Sequence, residues 1–185
     1  MQQNLVARRS KQLSCFLLIT VTGAVISLTS RAFGAANAGP CSTNPGSRQL
    51  DYWLGDWKIS GPGAGPNATS RVYLALDGCM VVESWDGGRG HTGENMFGYS
   101  ADDKSWHGMF VDNQGRVHVF VHGQVASGSA EFSGSSRGAN GDTVLDRVRI
   151  VRIGSDKAEQ IWEKSSDNGA TWATDFHGEY SRRKP

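Results

Sequence analysis

The sequence lacks most of the motifs by which enzymes are identified. It contains no Gly-x-Ser-x-Gly segment to hold a serine nucleophile on a sharp turn, and no motif in it indicates an activated cysteine or a catalytic pair of carboxylates. Isolated carboxylates are the only residues left for acid–base chemistry. The chain therefore carries no complete catalytic signature.

A hydrophobic run long enough for a convincing membrane span is also missing. The most apolar stretch, residues 12–30, is diluted by Ser, Thr and Gly. It follows a basic segment and leads to an A-x-A site at residues 36–38. These features predict a secretory signal peptide over residues 1–38, with an uncleaved anchor as the alternative. We expect export to the periplasm or the extracellular space, and no stable membrane span in the mature chain.

The chain has no large excess of positive charge. The chain has 19 basic and 18 acidic residues, and the leader holds four of the basic residues and no acidic one. The remaining 15 basic and 18 acidic residues give the mature chain a formal charge of −3. This balance argues against nucleic acid as a partner.

Cysteine is scarce, and only three are present. Cys15 belongs to the leader, so Cys41 and Cys79 remain after processing. In an oxidising compartment these two most simply form a disulfide, which would stabilise the fold by about 2 to 4 kcal/mol. The alternative is an unpaired Cys41 in a disordered start and a buried Cys79 thiol.

A helical period is not evident, whereas the pattern of an all-β domain is. Residues 39–47 are rich in Pro, Gly, Ser and Asn, a composition that predicts a flexible segment. Residues 48–185 have the length of a single domain, and we predict one there. Its β-branched and aromatic runs alternate with turn residues at intervals of about ten. The predicted strands are 56–60, 69–76, 79–85, 93–100, 105–112, 116–122, 130–133, 143–153, 158–165 and 171–180, with one helical turn at 51–54.

Short connections between these runs predict antiparallel hairpins between neighbours in sequence. A flat meander of about ten strands would expose an apolar face and two long edges. Closure into a lipocalin-like up-and-down barrel removes both, and a two-sheet sandwich is the alternative.

Alternation along the strands predicts which side chains face inward. On the last strand the inward set is Trp172, Thr174, Phe176, Gly178 and Tyr180. In the hairpin around Asn113 and Gln114, one face collects Trp106, Phe110, Val117, Val119 and Val121, which we predict to be core. The opposite face then holds His107, Met109, His118, Phe120 and His122.

The five histidines, His91, His107, His118, His122 and His177, do not have the spacing of a metal site. His118 and His122 share a strand face, but four residues of strand rise separate them by roughly 13 Å, too far for one ion to bridge. We predict ordinary solvent-facing strand residues and no metal site.

Two carboxylates fall in otherwise apolar strands: Glu83 within residues 81–85 and Glu163 within residues 161–165. A buried carboxylate needs a hydrogen-bonding partner or a raised pKa. Each is therefore a candidate to anchor a ligand or to act as an acid or base. For both residues we favour a structural hydrogen bond to an Arg or Tyr of a neighbouring strand over a catalytic role, because buried ion pairs also perturb pKa values.

Residues 165–172 match the S-x-D-x-G-x-T-W pattern called the Asp-box, which also occurs in sialidases. In this pattern Asp167 caps backbone amides, Gly169 takes a positive φ, and Trp172 folds across the turn. A sialidase would repeat the box around a much longer propeller. We therefore interpret this single copy as a structural motif that stabilises a hairpin turn, and not as an active site.

The segment Leu54-Gly55-Asp56-Trp57 resembles the G-x-W signature of the lipocalin and fatty-acid-binding barrels, in which the Trp plugs one end. In lipocalins a late Arg stacks on that Trp, and Arg182 is the matching residue. Haem-binding barrels of related shape use a late His for iron. Because His177 falls on the predicted outer face, haem remains an unsupported alternative.

The order of short motifs along the chain resembles the bacterial domain of unknown function 1579 family. After Leu-Gly-x-Trp, these motifs are Gly78 with Glu83, Gly98-Tyr99, Trp106 with Asp112 and Gly115, the segment from Glu163 to Trp172, and Tyr180 with Arg182. The resemblance covers most of residues 49–183. It implies a lipocalin-like barrel without a defined common activity.

Six Trp, seven Phe and four Tyr favour a barrel that binds a small, partly apolar molecule in its interior. The candidate ligand-binding residues are Glu83, Trp106, Phe110, Asp112, Glu163 and Phe176, and the structural ones are Gly55, Trp57, Asp167, Gly169, Trp172 and Arg182. We expect a monomer or a homodimer. An enzyme that uses a buried carboxylate such as Glu83, and a structural module of the cell envelope, are the alternatives.

Overall fold

A computed structural model describes residues 39–184 of the chain. The predicted signal peptide and its cleavage site lie outside the described residues. Ten antiparallel strands close into a barrel in which every strand pairs with its neighbours in sequence and β1 pairs with β10. The strands are β1 Gly55–Ser60, β2 Thr69–Ala75, β3 Met80–Asp86, β4 Thr92–Ser100, β5 Ser105–Asp112, β6 Val117–Ala126, β7 Ser129–Arg137, β8 Thr143–Arg152, β9 Lys157–Ser165 and β10 Ala173–Arg182. The predicted all-β, up-and-down barrel is confirmed.

One end of the barrel is closed by helical turns that precede β1. They are the short helix α1, Pro40–Thr43, and two 3₁₀ turns, Gly46–Arg48 and Asp51–Trp53. The predicted turn at 51–54 is therefore present. Residues 39–47, which we predicted to be flexible, instead form α1 and the start of the next turn. The disulfide between Cys41 and Cys79 holds this segment against the turn between β2 and β3, so the predicted pairing is confirmed.

At the closed end, Trp57 packs between the preceding helical turn and Arg182. Trp57 is buried there, and its indole N–H donates to the carbonyl of Trp53 at 2.9 Å. The guanidinium of Arg182 lies 4.2 Å from the centre of the Trp57 ring and donates to the carbonyl of Leu54 at 2.7 Å. Gly55 has a φ of +131°, and a Cβ at this position would meet the Arg182 guanidinium. These are the contacts that the resemblance to lipocalins implies.

The register of the β5–β6 hairpin differs from the predicted one. The connection has three residues, Asn113 to Gly115, because the Asp112 amide donates to the Arg116 carbonyl and Gly115 adopts a positive φ. Phe110 consequently pairs with His118, whereas a two-residue turn would pair it with Val117. A slip of one residue moves every side chain of a strand to the opposite face.

The predicted inward set of β6 was therefore wrong. Val117, Val119 and Val121 lie outside and are 53%, 52% and 44% exposed, whereas His118 and Phe120 point inward and are buried. Val119 continues a row of outward apolar residues that crosses β2 to β5, namely Tyr73, Val82, Met96 and Met109. Trp106 and Phe110 on β5 face inward, as predicted.

Strands β6 and β7 extend further than predicted. The prediction ended them too early because residues 123–137 are rich in Gly and Ser, which have low strand propensity. The small residues have a packing role there. A Cβ at Gly123 would meet the ring of Phe132, which stacks on Phe97 at 4.3 Å between ring centres. The length of the β6–β7 hairpin therefore depends on tertiary packing, which the strand propensity of its residues does not reveal.

The Asp-box forms the turn between β9 and β10, at the end of the barrel opposite to the helical turns. Asp167 accepts hydrogen bonds from the Thr171 amide and from the Ser165 hydroxyl, and Gly169 has a φ of +89°. The Trp172 ring lies against Gly169 and carries the Arg147 guanidinium at 4.3 Å. The motif supports a hairpin, as its residue types indicate.

Candidate functional site

A cavity of about 250 Å³ opens at the end of the barrel opposite to the helical turns. Four aromatic rings from four strands form its walls, namely Trp85, Phe110, Trp162 and Phe176. They make a continuous series of edge-on contacts, with ring centres 5.8 Å apart for Phe176 and Trp85, 6.4 Å for Trp85 and Phe110, and 5.4 Å for Phe110 and Trp162. The walls therefore suit a small molecule with an apolar, flat body.

Two ion pairs lie at the mouth of this cavity. On one side, Asp112 accepts from the Arg116 side chain at 2.6 Å and lies 2.9 Å from Nε2 of His91. Burial raises the pKa of Asp112, but the hydrogen bonds from the Arg116 amide, His91 and the Arg116 guanidinium together hold it below its ordinary value. Asp112 also caps the β5–β6 turn, because its Oδ1 accepts from the Gln114 and Arg116 amides.

The second ion pair results from an irregularity in β10. The register against β9 shifts between Thr174 and Phe176, so Asp175 is an extra residue in the strand. Its carboxylate lies 2.7 Å from Nζ of Lys164, and both residues line the cavity. Asp175 falls between Thr174 and Phe176 of the predicted inward set, so strict alternation placed it on the outer face. The bulge brings it to the mouth of the cavity instead.

His118 on β6 lines the cavity and is only 7% exposed. Its Nδ1 lies 3.2 Å from Oδ2 of Asp146, and Oδ1 of Asp146 accepts from the indole N–H of Trp162 at 3.0 Å. Burial raises the pKa of Asp146, but the hydrogen bonds from His118, Trp162 and Ser136 hold it below its ordinary value. An ionised, buried carboxylate thus orients the imidazole, and the prediction of a solvent-facing His118 was wrong.

The floor of the cavity is formed by two amide side chains, Asn95 on β4 and Gln160 on β9. Both donate to Oε2 of Glu83, at 2.7 and 3.2 Å. The other oxygen, Oε1, accepts from Ser70 at 2.8 Å and lies 2.9 Å from the Tyr180 hydroxyl. Glu83 is 0% exposed and lies beneath this floor, so the structure provides the hydrogen-bonding partners that a buried carboxylate needs.

The geometry around Tyr180 favours a neutral Glu83. Tyr180 has one hydroxyl hydrogen but lies within hydrogen-bond distance of two acceptors, Oε1 of Glu83 and, at 3.0 Å, Oε1 of Gln160. A protonated Glu83 donates to the Tyr180 oxygen, and Tyr180 then donates to Gln160, so that both acceptors are satisfied. Burial acts in the same direction, because it raises the pKa of Glu83, although the four hydrogen bonds to the carboxylate partly oppose the shift.

The six predicted ligand-binding residues are distributed over the whole barrel. Phe110 and Phe176 line the cavity, Asp112 contacts two residues at its mouth, and Glu83 lies beneath its floor. Two residues lie elsewhere. Trp106 is buried towards the closed end, where its indole N–H donates to Gln49, and Glu163 lies on the outer face, bonded to Arg147 and Arg149.

Several cavity residues were missed by the sequence analysis, namely Trp85, His91, Asn95, His118, Gln160 and Trp162. A three-residue turn after Asp112 would have placed His118 on the same face as Phe110, so that residue had a local signal in Gly115. Asn95 and Gln160 had none, because a lone amide in a strand does not indicate which way it points.

The remaining histidines lie near the surface. His107 contacts Asp103 at 2.7 Å and His122 at 5.9 Å between ring centres, and His177 lies 3.5 Å from Glu159. Within residues 39–184, no group of three or more His, Cys, Asp or Glu side chains could hold a metal ion. None of the helices in the same residues is long and apolar enough to cross a membrane.

A second, larger depression of about 990 Å³ lies on the outer surface of β2 to β5, over the outward apolar row. It is a groove across exposed strand faces. The interior cavity is the better candidate site because four rings and several oriented polar groups converge there.

Known proteins give no indication of function for this chain, so a functional assignment depends on the cavity. No model of a known protein family matches this chain, and no curated protein matches it. The closed barrel of ten strands is consistent with a lipocalin-like architecture.

Proposed function

We propose that the protein binds a small, partly apolar molecule in the cavity at the open end of the barrel. The observation that carries this proposal is the series of four rings, Trp85, Phe110, Trp162 and Phe176, around a cavity with a hydrogen-bonded polar floor. Ligand pockets typically combine apolar walls with a few oriented polar groups, and this cavity has that composition.

The site differs from the one we predicted in its polar anchor. Glu83 does not line the cavity and its oxygens are occupied by four neighbours, so it supports the floor through Asn95 and Gln160. Enzymatic acid–base chemistry is the second candidate function. The pair of His118 and Asp146 favours it, because a buried carboxylate orients the imidazole beside the cavity.

We also propose that the protein is exported and that it belongs to a known family of barrels. The leader pattern over residues 1–38 supports secretion to the periplasm or the extracellular space, and the disulfide is compatible with that compartment. We also infer membership of the lipocalin-like barrels and of the domain of unknown function 1579 family. The contact between Trp57 and Arg182 supports the former, and the order of motifs supports the latter.

Native mass spectrometry of the protein purified from its own host, without denaturation, tests ligand binding. We expect a bound organic molecule of low mass on the wild type. Trp85→Ala, which removes a cavity wall, should lose the adduct. Trp172→Ala is the matched control, because this Trp lies on the Asp-box turn and should leave the adduct in place. An adduct that survives equally in both variants, or a wild type without one, contradicts the proposal.

A further inference from the structure

The cavity floor contains a buried acceptor that no group within residues 39–184 satisfies. Asn95 is 3% exposed and lines the cavity, and its Nδ2 donates to Glu83. Its Oδ1 is buried and has no hydrogen-bond partner among residues 39–184. Most buried polar atoms in proteins are hydrogen-bonded, so this oxygen calls for a donor from a molecule in the cavity. The Gln160 amide differs, because its Nε2 donates to Glu83 and its Oε1 accepts from Tyr180.

His118 offers a second acceptor on the same row of the barrel wall. Asn95 pairs with Phe110, and Phe110 pairs with His118, so the two polar side chains flank one aromatic wall. Asp146 is an acceptor only, so in the neutral imidazole Nδ1 carries the hydrogen and Nε2 carries the lone pair. Nε2 is the ring nitrogen that Asp146 does not contact.

The charges at the mouth favour a neutral ligand. Arg116 is paired with Asp112, and Lys164 is paired with Asp175, so each lining cation already has its carboxylate. A charged ligand group would have to break one of these pairs or remain uncompensated. A cavity of about 250 Å³ with flat aromatic walls is suited to a molecule with a single ring.

We propose that the ligand class is a phenol: a neutral, single-ring aromatic molecule whose hydroxyl donates to Oδ1 of Asn95 or to Nε2 of His118. The ring lies between the four aromatic walls. This inference rests on the proposed binding function and assigns its ligand chemistry. Catechols belong to the same class, because a second hydroxyl can donate to the second acceptor.

Two probes of nearly equal shape test this assignment. 4-Methylphenol has the hydroxyl donor and, like the tyrosine side chain, keeps its proton at neutral pH, and 4-methylanisole has a methoxy group in its place. We expect the wild type to bind 4-methylphenol about tenfold more tightly, the ratio that corresponds to one hydrogen bond to an otherwise unsatisfied group. The dissociation constants are measured by isothermal titration calorimetry.

Asn95→Leu removes the buried acceptor, so the ratio between the two probes should fall to near one where Asn95 is the acceptor of the hydroxyl; where His118 is the acceptor, the fall is expected in Asp146→Asn. Ser70→Ala is the matched control. It removes one hydrogen bond to Glu83, as Asn95→Leu also does, but Ser70 does not line the cavity. The ratio should therefore stay near ten in Ser70→Ala.

Asp146→Asn tests the imidazole without removing it. The Asn amide donates to Nδ1 of His118, so the hydrogen moves to Nε2 and the acceptor becomes a donor. The preference for 4-methylphenol over 4-methylanisole should decrease, a readout that a loss of stability alone does not produce.

Equal binding of both probes by the wild type would overturn the phenol assignment and leave ligand binding in the cavity standing. A ratio unchanged in both Asn95→Leu and Asp146→Asn would also overturn it, because the hydroxyl would then be recognised elsewhere. If neither probe binds, the phenol assignment fails, and the proposed function depends on the adduct in native mass spectrometry.

Discussion

The two ends of the barrel are built on the same ten strands but differ in what their inward side chains do. Towards the closed end, Trp57, Phe97 and Phe132 are fully buried in contact with other rings. Towards the open end, the rings of Trp85 and Phe176 face a cavity, and their polar neighbours are ion-paired or hydrogen-bonded. Dense apolar packing contributes most of the stability of a fold. We therefore expect stability to depend mainly on the closed end and ligand binding on the open end.

Trp57→Ala should have the largest effect on stability. The substitution empties the closed end and leaves Arg182 without the ring on which it lies, and truncations of buried Trp typically cost about 3 to 5 kcal/mol. Trp85→Ala should cost roughly 1 to 2 kcal/mol, because this ring is partly exposed at the cavity. Urea unfolding of both variants gives the comparison. Equal losses would show that stability is shared evenly by the two ends.

Removal of the disulfide should have the next largest effect. The double variant Cys41→Ser with Cys79→Ser frees the helical segment that closes the barrel, and we expect a loss of about 2 to 4 kcal/mol. Thermal unfolding with and without a reductant measures it. The wild type should unfold at a lower temperature in the reductant, and the double variant should unfold at the same temperature with and without it. A wild type that is indifferent to the reductant contradicts the prediction.

Glu83 lies between the two ends and should respond to pH. Its pKa is raised in the folded state, so its contribution to stability is fully present below the unfolded pKa of about 4.3 and is lost as the pH rises through the folded pKa. Glu83→Gln presents an amide in place of a neutral carboxyl, and its NH₂ group can face the Ser70 and Tyr180 oxygens.

The Gln variant should therefore gain stability relative to the wild type with increasing pH, by at most about 1.4 kcal/mol for each pH unit. Glu83→Leu is the contrasting variant, because it leaves the surrounding donors without an acceptor at every pH. Urea unfolding from pH 4 to pH 9 measures both. Parallel curves for the wild type and Glu83→Gln would mean that Glu83 binds the same number of protons in the folded and unfolded states, so that folding does not raise its pKa.

The ion pair at the mouth should have the smallest effect on stability. Arg116 is half-exposed, so Arg116→Met should cost less than about 1 kcal/mol. The pKa of Asp112 is held below its ordinary value, so its contribution is present above the unfolded pKa of about 3.9 and is lost as the pH falls through the folded pKa. The wild type should therefore lose its small advantage over Arg116→Met in acid. An advantage that grows in acid contradicts this assignment.

Much of the fold was predictable because it depends on local properties of the chain. The spacing of turn residues predicted ten strands and their meander, and the separation of β-rich runs predicted short hairpins. The Asp-box predicted the β9–β10 turn residue by residue, since its hydrogen bonds join positions only two to four apart. The error at the β5–β6 hairpin came from one residue in the length of a turn, and it reversed the faces of His118 and Val119.

The sequence by itself determined the all-β class, the number of strands, the disulfide pair and the presence of aromatic residues for an interior. Only the tertiary structure decided which of these residues meet. Glu83 and Tyr180 are 97 positions apart, and Glu83 and Gln160 are 77 positions apart, and they come together because closure of the barrel brings the inner faces of distant strands into one space. The acceptor of Asn95 and the orientation of His118 by Asp146 likewise depend on register and closure, which no local pattern contains.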